Sequence, residues 1–201
     1  MNKVIPTLLI ASLFPVTAVC DDDAQSLQQR LSQLPHFSAE FHQQARDFDD
    51  NLVQESQGRL ALSAPLRFRW EQDTPESLLL VSDGDAVWFH DPYVEQVTVT
   101  SVDQAVAQTP LTLLASQDPK IWSQWQIQQQ ASCYRLTSDA HPAVSMTVCF
   151  EGDAIRSLQL DDAQGTSTVM ELQNFSTEAV DSAQFTFAPP EGTLIDDQRG
   201  S

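Results

Sequence analysis

The pair Asp83-Gly84 sits between two short apolar runs, Leu78–Val81 and Ala86–Phe89. Asp-Gly so placed is a strong short-range hairpin signal, because the turn needs positive φ and glycine adopts it without a Cβ clash. Asp91-Pro92 then breaks the second run. Val94, Val97 and Val99 carry a third, in which Val97 to Thr100 alternates apolar and polar residues. The stretch predicts an antiparallel meander whose faces carry Val87, Trp88, Phe89 and Tyr93.

Alternation continues on both sides of it. Phe37, Ala39 and Phe41 predict a strand over His36–Arg46, Asp47–Asn51 a turn, and Leu52–Leu62 the return strand. Leu66, Phe68 and Trp70 alternate with Arg67, Arg69 and Glu71, so large apolar groups share one face and charges the other. Downstream, Trp125–Gln130, Tyr134–Thr137, Val144–Phe150, Ala154–Leu160, Thr166–Phe175 and Phe185–Phe187 read as further strands. The fold class is mostly β, a single antiparallel sheet of about 11 strands, long enough to curl.

Two segments break the alternation. Leu27, Leu31 and Leu34 recur at helical spacing, so Asp21–Leu34 predicts an amphipathic helix, with Asp21–Asp23 at the positive end of its dipole and Pro35 ending it. Within about 102–123, Thr109-Pro110 resembles a capped helix start, Asp118-Pro119 ends that helix, and Lys120 to Gln124 forms another helical turn. Helices this short are unstable alone, and their apolar faces can cover the concave side of a curled sheet.

The chain opens with Met1-Asn2-Lys3 and an apolar run from Val4 to Phe14. That run is too short for a bilayer, which needs ~20 residues, but suits a secretory signal over 1–20. Cleavage after Ala18 or after Cys20 fits, and lipid attachment at Cys20 is a rival that Val19 disfavours. The remainder, 21–201, reads as one domain. The net charge is −18, and removal of Lys3 makes it more negative, which argues against nucleic acid and anionic membrane surfaces as partners. Cys133 and Cys149 each lie eight residues from His141, where a turn is expected. A hairpin folded there sets them opposite one another, ~4.5–5.5 Å between Cα atoms, so a disulfide forms in an oxidising compartment; two buried free thiols are the alternative.

No catalytic constellation is visible. Nucleophile elbow, Cys-x-x-Cys, His-Glu-x-x-His and glycine-rich phosphate loop are all lacking. His36, His42, His90 and His141 are scattered, and no cofactor or metal site is expected. An esterase-like hydrolase would need a nucleophile that the sequence does not display.

The ordered series Arg30-Leu31, Phe37-Ser38-Ala39-Glu40-Phe41, Gln57-Gly58, Pro65 to Trp70, Val81-Ser82-Asp83-Gly84, Val87-Trp88-Phe89, Asp91-Pro92-Tyr93-Val94-Glu95-Gln96, Thr109-Pro110, Phe185-Thr186-Phe187 with Pro189-Pro190, and Asp196-Asp197-Gln198-Arg199 resembles the outer-membrane lipoprotein carrier family, LolA. The resemblance implies an incomplete antiparallel barrel, an N-terminal helix crossing its concave face, and lid helices over an apolar cavity. It implies a periplasmic chaperone that takes lipoproteins from the inner-membrane Lol ABC transporter complex and passes them to the receptor LolB. It leaves open, as the other reading, a periplasmic lipid-binding or sensor protein of the same fold. A monomer is expected. The acyl-chain lining then comprises Leu31, Phe41, Leu60, Leu62, Phe68 and Trp70, with Leu111 and Leu114 from the lid. Val87 and Phe89 join it unless Trp88 is the inward residue. The sequence departs from the family where an arginine usually precedes the proline matched by Pro65 and bonds lid backbone at the positions of Leu114 and Ala115: here Ala64 stands. Either the latch is absent, so that the lid opens more readily, or another residue supplies it.

Overall fold

The computed structural model describes residues 20–102, 104–105, 110–138 and 144–200, with side chains for all of these except 20–22 and 110–112. The signal-peptide reading and the Thr109 cap lie outside the described residues, as does the turn at His141.

Twelve strands form one sheet: β1 (His36–Arg46), β2 (Leu52–Ser63), β3 (Arg67–Thr74), β4 (Leu78–Asp83), β5 (Ala86–Asp91), β6 (Gln96–Ser101), β7 (Trp125–Gln130), β8 (Cys133–Ser138), β9 (Ser145–Glu151), β10 (Ala154–Asp161), β11 (Ser167–Ser176) and β12 (Leu194–Asp197). Their spatial order is β12-β6-β5-β4-β3-β2-β1-β11-β10-β9-β8-β7. Every pairing is antiparallel except that of β12 with β6. A twisted sheet this wide curls rather than staying open and flat. Its edge strands, β7 and β12, do not pair with each other, so the barrel is unclosed.

The meander forms as read. Gly84 takes φ +105° in the β4–β5 turn, and the Asp83 carboxylate receives the backbone N–H groups of Asp85 and Ala86, both at 2.9 Å. Register fixes the faces. Leu62 pairs with Phe68, Phe68 with Ser82, and Ser82 with Val87, while Leu60 pairs with Trp70, Trp70 with Leu80, and Leu80 with Phe89. Paired residues share a face, so Val87 and Phe89 join the concave face and Trp88 the convex one. There Trp88 packs with Ala86, Val97, Val99 and Phe187.

Helix α1 (Cys20–Ser32) lies on the concave side with α2 (Pro110–Ala115) and α3 (Pro119–Trp122). Leu27, Leu34, Leu113, Leu114, Ala115 and Trp122 meet Phe37, Phe41, Leu60, Leu62, Tyr134, Leu136 and Met146 in one buried cluster. Fully burying one such side chain contributes ~1.5–3 kcal/mol, so the helices are held mainly by this shared core. Pro110 begins α2, where its missing N–H has no intrahelical partner to lose.

The strand expected at Phe185–Phe187 does not form. Ser182–Phe185 is a 3-10 turn capped by Asp181, whose side chain accepts from the Ala183 amide. This segment crosses strands instead of running along one. Phe185 is buried, with the Arg67 guanidinium 5.7 Å from its ring, and Phe187 reaches Trp88 and His90 with ring centroids 6.0 and 5.4 Å away. The two aromatics alternate because each meets a different strand. Asp196-Asp197 belongs to the fully exposed edge strand β12, whose lack of a buried face leaves no periodic signal.

Candidate functional site

The concave face is apolar because the strands from β2 to β11 present their hydrophobic phase there. At Gly58, backbone space decides the packing. A Cβ on it would lie 1.9 Å from the Glu71 carbonyl oxygen and 2.8 Å from Phe41 Cζ. Its hydrogen lets the Phe41 ring lie across β2 and stack on Trp70, centroids 5.4 Å apart.

Among the described residues, two hollows open on the concave side. One of about 210 Å³ is lined by Gln43, Trp70, Leu80, Met146, Leu158, Leu160, Thr168 and Met170. These residues sit toward the strand ends that carry the β1–β2, β3–β4 and β10–β11 turns. The other, of about 360 Å³, lies between α1 and the lid, beside Leu31, Leu34, Ala64, Leu114, Ala115 and Trp122. A larger recess of about 530 Å³ opens on the outer face near Arg59, Arg69 and Glu71. Its charges are already paired: Arg69 Nε lies 3.0 Å and Arg59 3.5 Å from Glu71, so it offers nothing to an alkyl chain.

The candidate lining residues divide three ways. Phe41, Leu60, Leu62 and Phe68 are buried core beneath the helices. Trp70 alone among the candidates lines the smaller hollow, while Leu31 and Leu114 line the one beside Ala64. Phe89 shares the concave face but stands 39% exposed. Leu111 lies in α2, and its side chain is outside the described residues. Leu80, Met146, Leu158, Leu160 and Met170, together with Gln43 and Thr168, are lining residues that sequence reasoning missed. The usable signal was the phase of β9 to β11, where Met146, Val148 and Phe150, then Leu158 and Leu160, then Met170 and Leu172, alternate with polar residues.

Another group supplies a latch where Ala64 cannot. The Leu66 backbone N–H donates to the Ala115 carbonyl at 3.0 Å. Leu66 holds φ +59°, a left-handed conformation that costs a non-glycine residue roughly 1–2 kcal/mol. The fully buried Ser82 hydroxyl fixes it by donating to the Leu66 carbonyl at 2.6 Å. Arg67 and Arg69 face away from the lid: Arg67 reaches Ser63 Oγ and Arg69 reaches Glu71. Within the lid, the Trp122 indole N–H donates to the Ser116 carbonyl at 3.0 Å.

Opposite the lid, α1 is tied to the other half of the sheet. The Asp23 carboxylate accepts from the Gln129 amide at 2.9 Å, Ser26 Oγ and the Tyr134 hydroxyl are 2.9 Å apart, and the Arg30 guanidinium lies 4.1 Å from the Phe150 ring centroid. Arg30 also donates to the Gly152 carbonyl. Behind these contacts, Cys133 and Cys149 face each other across β8 and β9 and form a disulfide, as their spacing predicts.

Fold and hollow together define a class: an unclosed, largely antiparallel barrel with helices packed in its apolar concavity. The family model described as outer membrane lipoprotein carrier protein LolA matches residues 32–188. An outer-membrane lipoprotein carrier protein from Shewanella loihica is 35% identical over 184 residues, covering 89% of this chain and 87% of its own. One from Proteus mirabilis is 33% identical over 202 residues, covering 99% of this chain and 100% of its own. The chain belongs to the LolA family. Among solved structures, a LolA superfamily protein from Nitrosomonas europaea superposes with a TM-score of 0.52 at 11% identity, covering 82% of this chain and 98% of its own. An uncharacterized conserved protein from Thermus thermophilus gives 0.54 at 14% identity, covering 87% and 99%. At such low identity these two share the fold alone.

Proposed function

We infer that the chain is a periplasmic chaperone that carries lipoproteins from the inner to the outer membrane, with their acyl chains in the concave hollow. Residues 1–20 then act as the export signal. The inner-membrane Lol ABC transporter complex is the donor and the receptor LolB the acceptor. The role is binding and transfer, with no turnover.

The supporting observation is an apolar concavity filled by helices, of which α2 and α3 are held to the sheet mainly by packing. The hollows of about 210 and 360 Å³ reach at most the low end of the ~300–1,000 Å³ of pockets that take a single drug-sized ligand. Two or three acyl chains therefore need the space that α2 and α3 occupy. Each buried methylene contributes ~0.8 kcal/mol, but the lid must give up Leu113 and Leu114 contacts of the same kind. Chain and lid compete for one surface, so net affinity stays moderate and release needs no chemical energy within this protein.

Incubation of the purified mature protein with spheroplasts tests the reading. Release of outer-membrane-destined lipoprotein as a soluble complex, and its transfer to LolB, is the expected result. A protein that releases none but retains a signalling partner would be a sensor of the same fold.

A further inference from the structure

The smaller hollow is not uniformly apolar. Six of its lining residues are Trp70, Leu80, Met146, Leu158, Leu160 and Met170, and the other two are Gln43 and Thr168. Both are partly exposed, and among the described residues no protein hydrogen bond ties the Gln43 side-chain amide or the Thr168 hydroxyl, so each is open to water or to a ligand. Ser56, the cross-strand partner of Gln43 on the same face, is 2% exposed and its hydroxyl is also unpaired. A buried polar group left unmet costs ~1–3 kcal/mol, and of these three side chains that applies to the Ser56 hydroxyl. Gln72, on this same face, shows the ordinary solution: it is buried, and its amide donates to the Glu76 carbonyl at 2.9 Å.

Position adds a second argument. Gln43 pairs with Met170 and Ala45 with Thr168, so Gln43 and Thr168 are diagonal neighbours, ~7–8 Å apart. Both stand near the strand ends that meet the β1–β2 and β10–β11 turns, and the hollow is lined by strand residues alone, with the helices packed elsewhere on the concave face. A ligand whose alkyl chains point toward the helices brings the point where those chains join to this rim.

We propose that Gln43 and Thr168, backed by Ser56, form a polar subsite that donates hydrogen bonds to the acyl carbonyls linking the chains to their glyceryl or amino headgroup. The proposal rests on the carrier reading and names the part of the ligand that the rim recognises. An ester or amide carbonyl is a strong acceptor with no charge to desolvate, and two neutral donors match it. The bonds fix how deep the chains enter, which apolar contact alone leaves free to slide.

Paired probes test this. One is a lipopeptide with two ester-linked palmitoyl chains on a glyceryl-cysteine; the other carries ether-linked hexadecyl chains and lacks both carbonyls. The wild-type protein is expected to prefer the ester probe by about two- to tenfold, the range of one or two neutral hydrogen bonds. In Gln43→Met, and in Gln43→Met combined with Thr168→Val, that ratio falls toward one, while circular dichroism and the thermal midpoint report an intact fold. A diester phospholipid beside the lipopeptide identifies the source. A fall confined to the lipopeptide assigns the subsite to lipoprotein; a fall in both assigns it to the ester itself. An ester preference that persists in the variants overturns the subsite and leaves the carrier reading standing. Failure of the wild-type protein to bind either probe overturns both.

Discussion

The two halves of the sheet are built to opposite ends. The half from β7 to β10 is stapled: a disulfide joins β8 to β9, and α1 reaches it through Asp23, Ser26 and Arg30. The half from β2 to β6 carries the lid. Among the described residues, the directional tie between its β2–β3 turn and α2 is one backbone hydrogen bond, from Leu66 to Ala115. Apolar packing is non-directional and can be exchanged for a chain of like chemistry, whereas a disulfide or a buried hydrogen bond cannot. Directional bonds thus accumulate in the stapled half and thin out around α2, the arrangement that the proposed exchange of lid for acyl chain would use. Within the lid half itself, close backbone approach at Gly58 pins β2 against β3.

That contrast can be tested from its strongest element downward. Gly58→Ala forces a methyl group into the Glu71 carbonyl; we expect a loss of about 3 kcal/mol or more in urea unfolding. A value under about 1 kcal/mol would show that β2 and β3 separate easily. Replacing Cys133 and Cys149 together by alanine should cost about 3 kcal/mol, from loop entropy over a sequence separation of 16. Hydrogen exchange should then rise across β8 and β9 and not in α2. Equal rises in both would erase the distinction between the halves.

Ser82→Ala acts on the other side. It frees the Leu66 carbonyl and should cost about 1–2 kcal/mol, with faster exchange at the Leu66 amide and through α2. Exchange in α1 should stay unchanged. The smallest effect concerns acid stability of the stapled half. Burial pushes the Asp161 carboxyl up, but hydrogen bonds from Gln159, Ser167 and Ser145 and the Arg135 charge outweigh it and hold it below the usual carboxylate value. A carboxylate depressed in the folded state stabilises the fold above its unfolded pKa, and the contribution is lost as pH falls below about 4. Asp161→Asn should therefore lower the thermal midpoint at neutral pH and converge with wild type in acid; parallel curves at all pH values would exclude the linkage.

Most of the sheet was readable from alternation, because a strand with one buried face must place its apolar residues every second position. Phe37 to Phe41, Leu60 with Leu62, and Phe68 with Trp70 announce both strand and face. The Cys133–Cys149 pairing was equally readable, since a hairpin centred on His141 leaves no choice of register. The meander was harder. Val87, Trp88 and Phe89 are consecutive large apolar residues, and only cross-strand register with Ser82 and Leu80 assigned Val87 and Phe89 inward. The site was less legible still. Leu80 and Met170 are far apart in the chain, and they line one hollow only because β1 to β4 and β9 to β11 curl toward each other.

Sequence alone therefore determined most of the strands, that Cys133 and Cys149 could meet across a hairpin, and that the chain has an apolar face in need of cover, since these follow from local periodicity and short loops. Tertiary structure decided how that face is covered and what latches it. The Leu66 amide has no side-chain signature, and its bond to Ala115 exists because curling brings the β2–β3 turn against the lid. That Gln43 and Thr168 stand together at the rim of an apolar hollow likewise became visible only once the strands were in place, because the two residues are far apart in the chain.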